Sequence, residues 1–230
     1  ATHQRARRAN LLFLLRWLQG EDREIVMPHA FLTALVLAAG SSRRLGHPKQ
    51  LLPYRGTTLL GWAVAQAEAS LALDDVLVVL GHASDDILPT LERTRARVVV
   101  ATEFSEGCAA SYRTGLAAAD PRSDGVMILL GDQPGVDTEA MERVAAEWRA
   151  GSADIVVADY QGTLGHPLIF GSRLFPELAA LHGDKAAWKL LDRHPAWVRA
   201  VALGRTLPAD VDTAGDYAVL TQPDSDSSRS

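Results

Sequence analysis

Apolar residues come in short runs along this chain, and stretches with helical spacing separate one run from the next. Residues 32–37 form the first run, apolar at nearly every position and followed by small residues. That is the pattern of a strand buried on both faces. Residues 75–80, 98–100, 126–130, 155–158, 168–170 and 198–203 repeat the signal. Between them, helical spacing covers residues 58–69, 84–93, 109–119 and 138–150, two stretches on either side of Gly183, and residues 215–220. Pro89 marks a kink in the second of these helices, while Pro121 and Gly151 close the third and fourth. Strands alternating with helices of this length imply βαβ units and a mostly parallel sheet covered by helices. Ligands of such sheets sit beyond the carboxyl ends of the strands, so polar features there carry the most weight.

The ends of the chain read differently. Residues 1–30 form an N-terminal extension. In it Arg5, Arg7 and Arg8 precede an apolar stretch that Arg16 interrupts, and acidic Glu21, Asp22 and Glu24 follow. This order suits an amphipathic helix or a leader better than a secretory signal, and Met27 stands just before the first strand. Residues 31–220 read as one domain, and the polar, Ser-rich residues 221–230 as a disordered tail. A net charge of −5 from 23 basic and 28 acidic side chains argues against a protein that coats nucleic acid. No apolar run reaches the roughly 18 residues needed to span a bilayer, so no membrane partner is expected. The single cysteine, Cys108, excludes an intrachain disulfide and a multi-cysteine zinc site and fits a reducing, cytoplasmic setting.

Four segments carry candidate chemistry. The first runs Ala38-Ala39-Gly40-Ser41-Ser42-Arg43-Arg44-Leu45-Gly46-His47-Pro48-Lys49, from the end of the first strand. Small residues let backbone amides approach an anion, and Arg44 and Lys49 add the positive charge a polyphosphate needs. The spacing matches neither GxxxxGK[ST] nor GxGxxG. The second is Gly131-Asp132-Gln133-Pro134, where Asp132 ends the fourth strand and suits Mg²⁺, a cation that takes few protein ligands. The competing reading makes Asp132 a helix cap, a role for which Asp137 or Thr138 is better placed. The third, Asp210-Val211-Asp212-Thr213, reads either as a helix N-cap or as a second acidic group that shares the metal with Asp132. The fourth, Gly165-His166-Pro167, reads as a turn entering a strand, where His166 either braces the turn or faces a ligand.

Taken together, these segments resemble the MobA-like nucleotidyltransferases, and within them the molybdenum cofactor cytidylyltransferase branch. The opening motif A-A-G-x-S-x-R-x-G-x-x-K is matched at Ala38, Ala39, Gly40, Ser42, Arg44, Gly46 and Lys49. Gln50-Leu51-Leu52-Pro53, Gly107 with Ser111, Gly131-Asp132-Gln133-Pro134, Gly165-His166-Pro167 and Asp210-Val211-Asp212-Thr213 follow in order. The resemblance spans about residues 32–220. It departs at Ala101, where the family often has Asn, and at Gly183-Asp184-Lys185-Ala186-Ala187-Trp188, which lacks the second Gly and the Arg of G-D-x-G-A-R.

The resemblance implies a single Rossmann-like, three-layer α/β domain of the nucleotide-diphospho-sugar-transferase type. It implies transfer of a CMP group, with GMP as the second choice, from an NTP to a phosphate of an acceptor such as molybdopterin cofactor, releasing pyrophosphate. By the same resemblance Ala38, Ala39, Gly40, Ser41, Ser42, Arg44, Lys49, Gly107, Ser111 and Asp132 bind the nucleotide, with Arg44, Lys49 and Asp132 acting in catalysis. Asp132 and Asp212 hold Mg²⁺. Gln133, Pro134, Gly165, His166 and Pro167 face the acceptor. The methyl of Ala39, where the guanylyl branch has Gly, favours a pyrimidine, hence CTP. Two rivals share these residues: a sugar- or polyol-phosphate nucleotidyltransferase of the same fold, and a non-catalytic accessory that hands cofactor to a molybdenum hydroxylase.

Overall fold

The computed structural model describes residues 29–40, 42, 44–102, 108–183 and 186–222. Nearly the whole N-terminal extension and tail, together with Ser41, Gly107, Asp184 and Lys185, lie outside the described residues. Among the described residues there are nine strands: β1 (Leu32–Ala38), β2 (Pro53–Tyr54), β3 (Thr57–Thr58), β4 (Asp75–Leu80), β5 (Arg97–Val100), β6 (Gly125–Leu130), β7 (Ile155–Tyr160), β8 (Thr163–Gly171) and β9 (Val198–Ala202). Seven of them form one sheet in the order β5-β4-β1-β6-β8-β7-β9, and β2 and β3 form a separate hairpin. The helices are α1 (Leu59–Ala69), α2 (Ser84–Ile87), α3 (Cys108–Ala118), α4 (Thr138–Arg149), α5 (Phe175–Ala179), α6 (Ala186–Arg193) and α7 (Ala214–Leu220).

The all-apolar strands are buried on both faces. Alternate residues of β1 serve two cores, as a period of two requires. Leu32, Ala34 and Val36 join Leu60 and Val64 of α1 and Met141, Val144 and Trp148 of α4. Leu35 and Leu37 join Tyr112 of α3, Leu178 of α5 and Leu190 of α6. This is the three-layer arrangement, with β1 an interior strand between β4 and β6.

Two elements differ from the sequence reading. The helix expected over residues 84–93 is cut to α2 and a 3₁₀ turn at Leu88–Leu91. Pro89 has no N–H to continue the α-helical ladder. The strand expected over 168–170 is the nine-residue β8. It returns from β7 through Gln161-Gly162, both at positive φ (55° and 91°), a two-residue turn that matches strand twist. β8 is therefore antiparallel to both β7 and β6, while the β1–β4, β1–β6, β4–β5 and β7–β9 pairs are parallel. Gly165-His166-Pro167 thus lies inside a strand rather than in a turn before one. Partners along β7 step from Val157↔Leu168 to Ala158↔Gly165, so His166 and Pro167 form a bulge.

Candidate functional site

The carboxyl ends of β1 and β6 lie side by side, because Leu37 pairs with Leu130 and the Gly131 amide donates to the Leu37 carbonyl at 3.0 Å. Gly131 is required by close approach: a Cβ there would meet Leu60 Cδ1 at 2.7 Å and Ala38 Cβ at 3.2 Å. The loop after β1 and Asp132 after β6 consequently border one cleft.

The loop after β1 is braced from within. Gln50, 2% exposed, donates its side-chain amide to the carbonyls of Ala38 (2.8 Å) and Gly40 (3.2 Å). The Ser42 hydroxyl accepts the Lys49 amide at 3.0 Å, and the Ser42 carbonyl accepts the amides of Leu45 and Gly46. Ser42 sits at φ 49°, a left-handed conformation that folds the loop back toward Lys49. Gln50 shapes the site, although the motif reading included it in Gln50-Leu51-Leu52-Pro53 without giving it a role. Its signal was a polar side chain next to Leu51 and Leu52.

Four predicted side chains separated by up to 168 positions converge beyond the strand ends. The Lys49 ammonium pairs with Asp132 and, at 2.7 Å, with Asp212. Arg44 reaches the other Asp212 oxygen at 3.0 Å. Burial pulls the Lys49 pKa down, but the two carboxylates outweigh it and the net shift is upward. The Lys49 hydrogen bond and the charges of Lys49 and Arg44 hold Asp212 below the usual carboxylate range. Asp210 keeps one side open to solvent, yet surrounding protein and the negative charge of Asp132 push it up to about 6.

Both helix-cap alternatives resolve toward free carboxylates. Asp137 caps α4, accepting the Ala140 amide at 3.0 Å, which leaves Asp132 for the cleft. Thr213 caps α7 in a capping box with Asp216, which leaves Asp212 for Lys49. Among the described residues no three His, Cys, Asp or Glu side chains form a ready metal-binding group. Two carboxylates meeting on one cation do fit Mg²⁺ or Mn²⁺, which fill their remaining positions with water and phosphate.

The other candidates are dispersed around this centre. Ser111 is buried in the first turn of α3, and Ala101 is buried at the end of β5. Gln133, 4% exposed, donates to the Pro208 carbonyl at 3.0 Å, and the Pro134 carbonyl accepts from Trp62 at 3.2 Å, so both serve the scaffold. His166, 8% exposed, faces the α6 side, its ring edge-to-face with Trp188 at 5.8 Å. Burial lowers its pKa to about 4, so the ring is neutral at physiological pH. Among the described residues no helix is long and apolar enough to cross a membrane.

The family described as MobA-like NTP transferase domain matches residues 34–198. Nicotine blue oxidoreductase of Paenarthrobacter nicotinovorans is 33% identical over 174 residues, covering 72% of this chain and 83% of its own length. The purine catabolism protein PucB of Bacillus subtilis (strain 168) is 30% identical, over 84% of this chain and 98% of its own length. Among solved structures, Rv0371c of Mycobacterium tuberculosis H37Rv superposes with a TM-score of 0.76 at 42% identity, over 84% of this chain and 98% of that one. A complex of that protein with manganese gives 0.73 at 40% identity, over 83% and 98% of the two chains.

Proposed function

Because the chain belongs to the MobA-like NTP transferase family, we propose that it moves a nucleotidyl group from CTP to a phosphate of molybdopterin cofactor, releasing pyrophosphate. The acceptor phosphate is already an anion, so the reaction calls for no strong base. The difficulty lies in gathering anions and holding them in line, a task for positioning and electrostatics. The observation that carries this reading is the Lys49 ammonium held between Asp132 and Asp212, with Arg44 on the far oxygen of Asp212.

In this arrangement the carboxylates store the two cations while no nucleotide is present. A triphosphate draws Arg44 and Lys49 onto its oxygens, where Arg44 grips two at once and Lys49 acts as a point charge. Their departure exposes Asp132 and Asp212 as a pair of hard oxygen ligands for Mg²⁺, supported by the manganese complex of Rv0371c. A divalent cation held by Asp132 and Asp212 would supply charge neutralisation for the reacting phosphates. The amides of Ala39, Gly40 and Ser42, on the loop Gln50 braces, face the phosphates. The Ala39 methyl narrows the base side and favours cytosine over guanine.

The test is pyrophosphate release with CTP, GTP and UTP, each offered with molybdopterin cofactor, sugar-1-phosphates and polyol phosphates. Preference for CTP with the pterin supports the proposal, and preference for a sugar or polyol phosphate selects the rival transferase. Electron transfer of the kind named for the Paenarthrobacter relative, without pyrophosphate release, would overturn nucleotidyl transfer.

A further inference from the structure

Asp210 and Asp212 sit on residues 203–213, a strap between β9 and α7 with no helix or strand of its own. Such a segment has no ladder to set its register, so cross-links must do so. The Leu203 amide donates to the Asp159 carbonyl at 2.8 Å, the Gln133 side chain donates to the Pro208 carbonyl at 3.0 Å, and the Val211 amide donates to the Asp132 carbonyl at 3.1 Å. Pro208 rests on Gly135, where a Cβ would come within 2.7 Å of the Pro208 ring.

Beside the Asp212 pairs with Lys49 and Arg44, a second side-chain anchor holds the strap nearer β9. Arg205 forks onto Asp137, with one arm on Oδ1 at 2.6 Å and the other on Oδ2. Asp137 also caps α4, directly after the loop that bears Asp132, so its carboxylate is held by a second partner. The Arg205 charge reaches Tyr160 as well, and the Tyr160 hydroxyl donates to the His166 carbonyl at 2.5 Å. One guanidinium therefore links the strap to Asp137, directly after the loop that bears Asp132. Among the described residues, Arg205 Nε and Gln133 Oε1 are buried without partners. Unpaired buried groups cost stability, which suits contacts kept for position more than for firmness.

We propose that Arg205 is a positioning residue: its two-armed grip on Asp137 sets the register of residues 203–213 and so brings Asp212 onto Lys49 opposite Asp132. The functional part of this inference rests on the transferase reading of the site, whereas the structural part stands apart from it.

The test compares wild type with Arg205→Met, which deletes the fork, and Arg205→Lys, which keeps the charge with one arm. Amide exchange over residues 206–213 should quicken at least about tenfold in Arg205→Met, the equivalent of about 1.4 kcal/mol, while exchange in β1, β4 and β6 stays at the wild-type rate. Manganese alone, titrated by electron paramagnetic resonance without nucleotide, should bind about tenfold more weakly, and Arg205→Lys should fall between the two proteins in both measurements. Under CTP turnover, kcat should drop more than the KM for CTP rises. Wild-type exchange in the strap with wild-type manganese affinity would overturn the proposal, as would loss of fold in both variants. A wild-type protein that transfers no nucleotidyl group would refute the transferase reading and leave the exchange and manganese results to decide the positioning role.

Discussion

Replacing Lys49 with methionine keeps the side-chain length and deletes the cation that touches both Asp132 and Asp212. Both carboxylates lie within hydrogen-bond reach of one nitrogen, so their charges stand about 5 Å apart. At an effective dielectric of about 20, the exposed repulsion is about 3 kcal/mol. The Asp212 side chain is 41% exposed, and solvent screening reduces the effect to about 1–2 kcal/mol. For a domain of this size that lowers Tm by about 2–8 °C in the presence of a chelator. Added Mg²⁺ or Mn²⁺ should then raise the Tm of Lys49→Met more than that of wild type, because the ion no longer competes with an ammonium. Thermal melts of both proteins, with chelator and with each metal, test this directly. An unchanged melt in chelator, or equal metal-induced shifts in the two proteins, would refute the picture of Lys49 standing at the cation position.

Asp132→Asn and Asp212→Asn should each abolish most turnover, and the double variant should be barely worse than either single one, since the two groups act as a unit. Kinetics of all three variants check this, and additive losses would count against a shared role. Arg44→Ala should weaken CTP binding more than CMP binding by calorimetry, because its guanidinium is assigned to the outer phosphates; equal losses would remove that assignment. His166 is held at a pKa of about 4 against an ordinary 6.5, so the unfolded chain binds its proton first and folding stability falls as pH drops from about 6.5 to about 4. Denaturant titrations across that range should show a shallower fall in His166→Gln than in wild type, and parallel curves would show that the ring is not the source.

The centre of the fold was legible in the sequence because it rests on local rules. A run such as residues 32–37, apolar on both sides of the pleat, suits only a strand covered on both faces, and β1 is that strand. The chemistry at the strand ends was legible for a related reason: a carboxylate after β6 and cations after β1 are placed by the termination of the strands themselves. The core of β8 at residues 168–170 was legible, but its direction depends on a two-residue turn at Gln161-Gly162, and its full length on a bulge that places Gly165-His166-Pro167 inside a strand.

The sequence alone determined which residues were chemically able to form a site: Arg44, Lys49, Asp132 and Asp212 each carry the needed charge next to an element end. Only the tertiary structure decided which carboxylates were free. Asp132 and Asp137 both precede α4, where the helix-capping rule favours Asp137, and Asp212 and Thr213 both precede α7, where the sequence leaves the cap open. The choice falls to contacts from elsewhere in the chain: Arg205 and the Ala140 amide on Asp137, Asp216 on Thr213, and Lys49 on Asp132 and Asp212. Arg205 and Tyr160, and the bracing role of Gln50, stayed invisible for the same physical reason. Their partners lie up to 68 positions away or are backbone carbonyls, and neither kind of contact leaves a periodic or compositional trace in the chain.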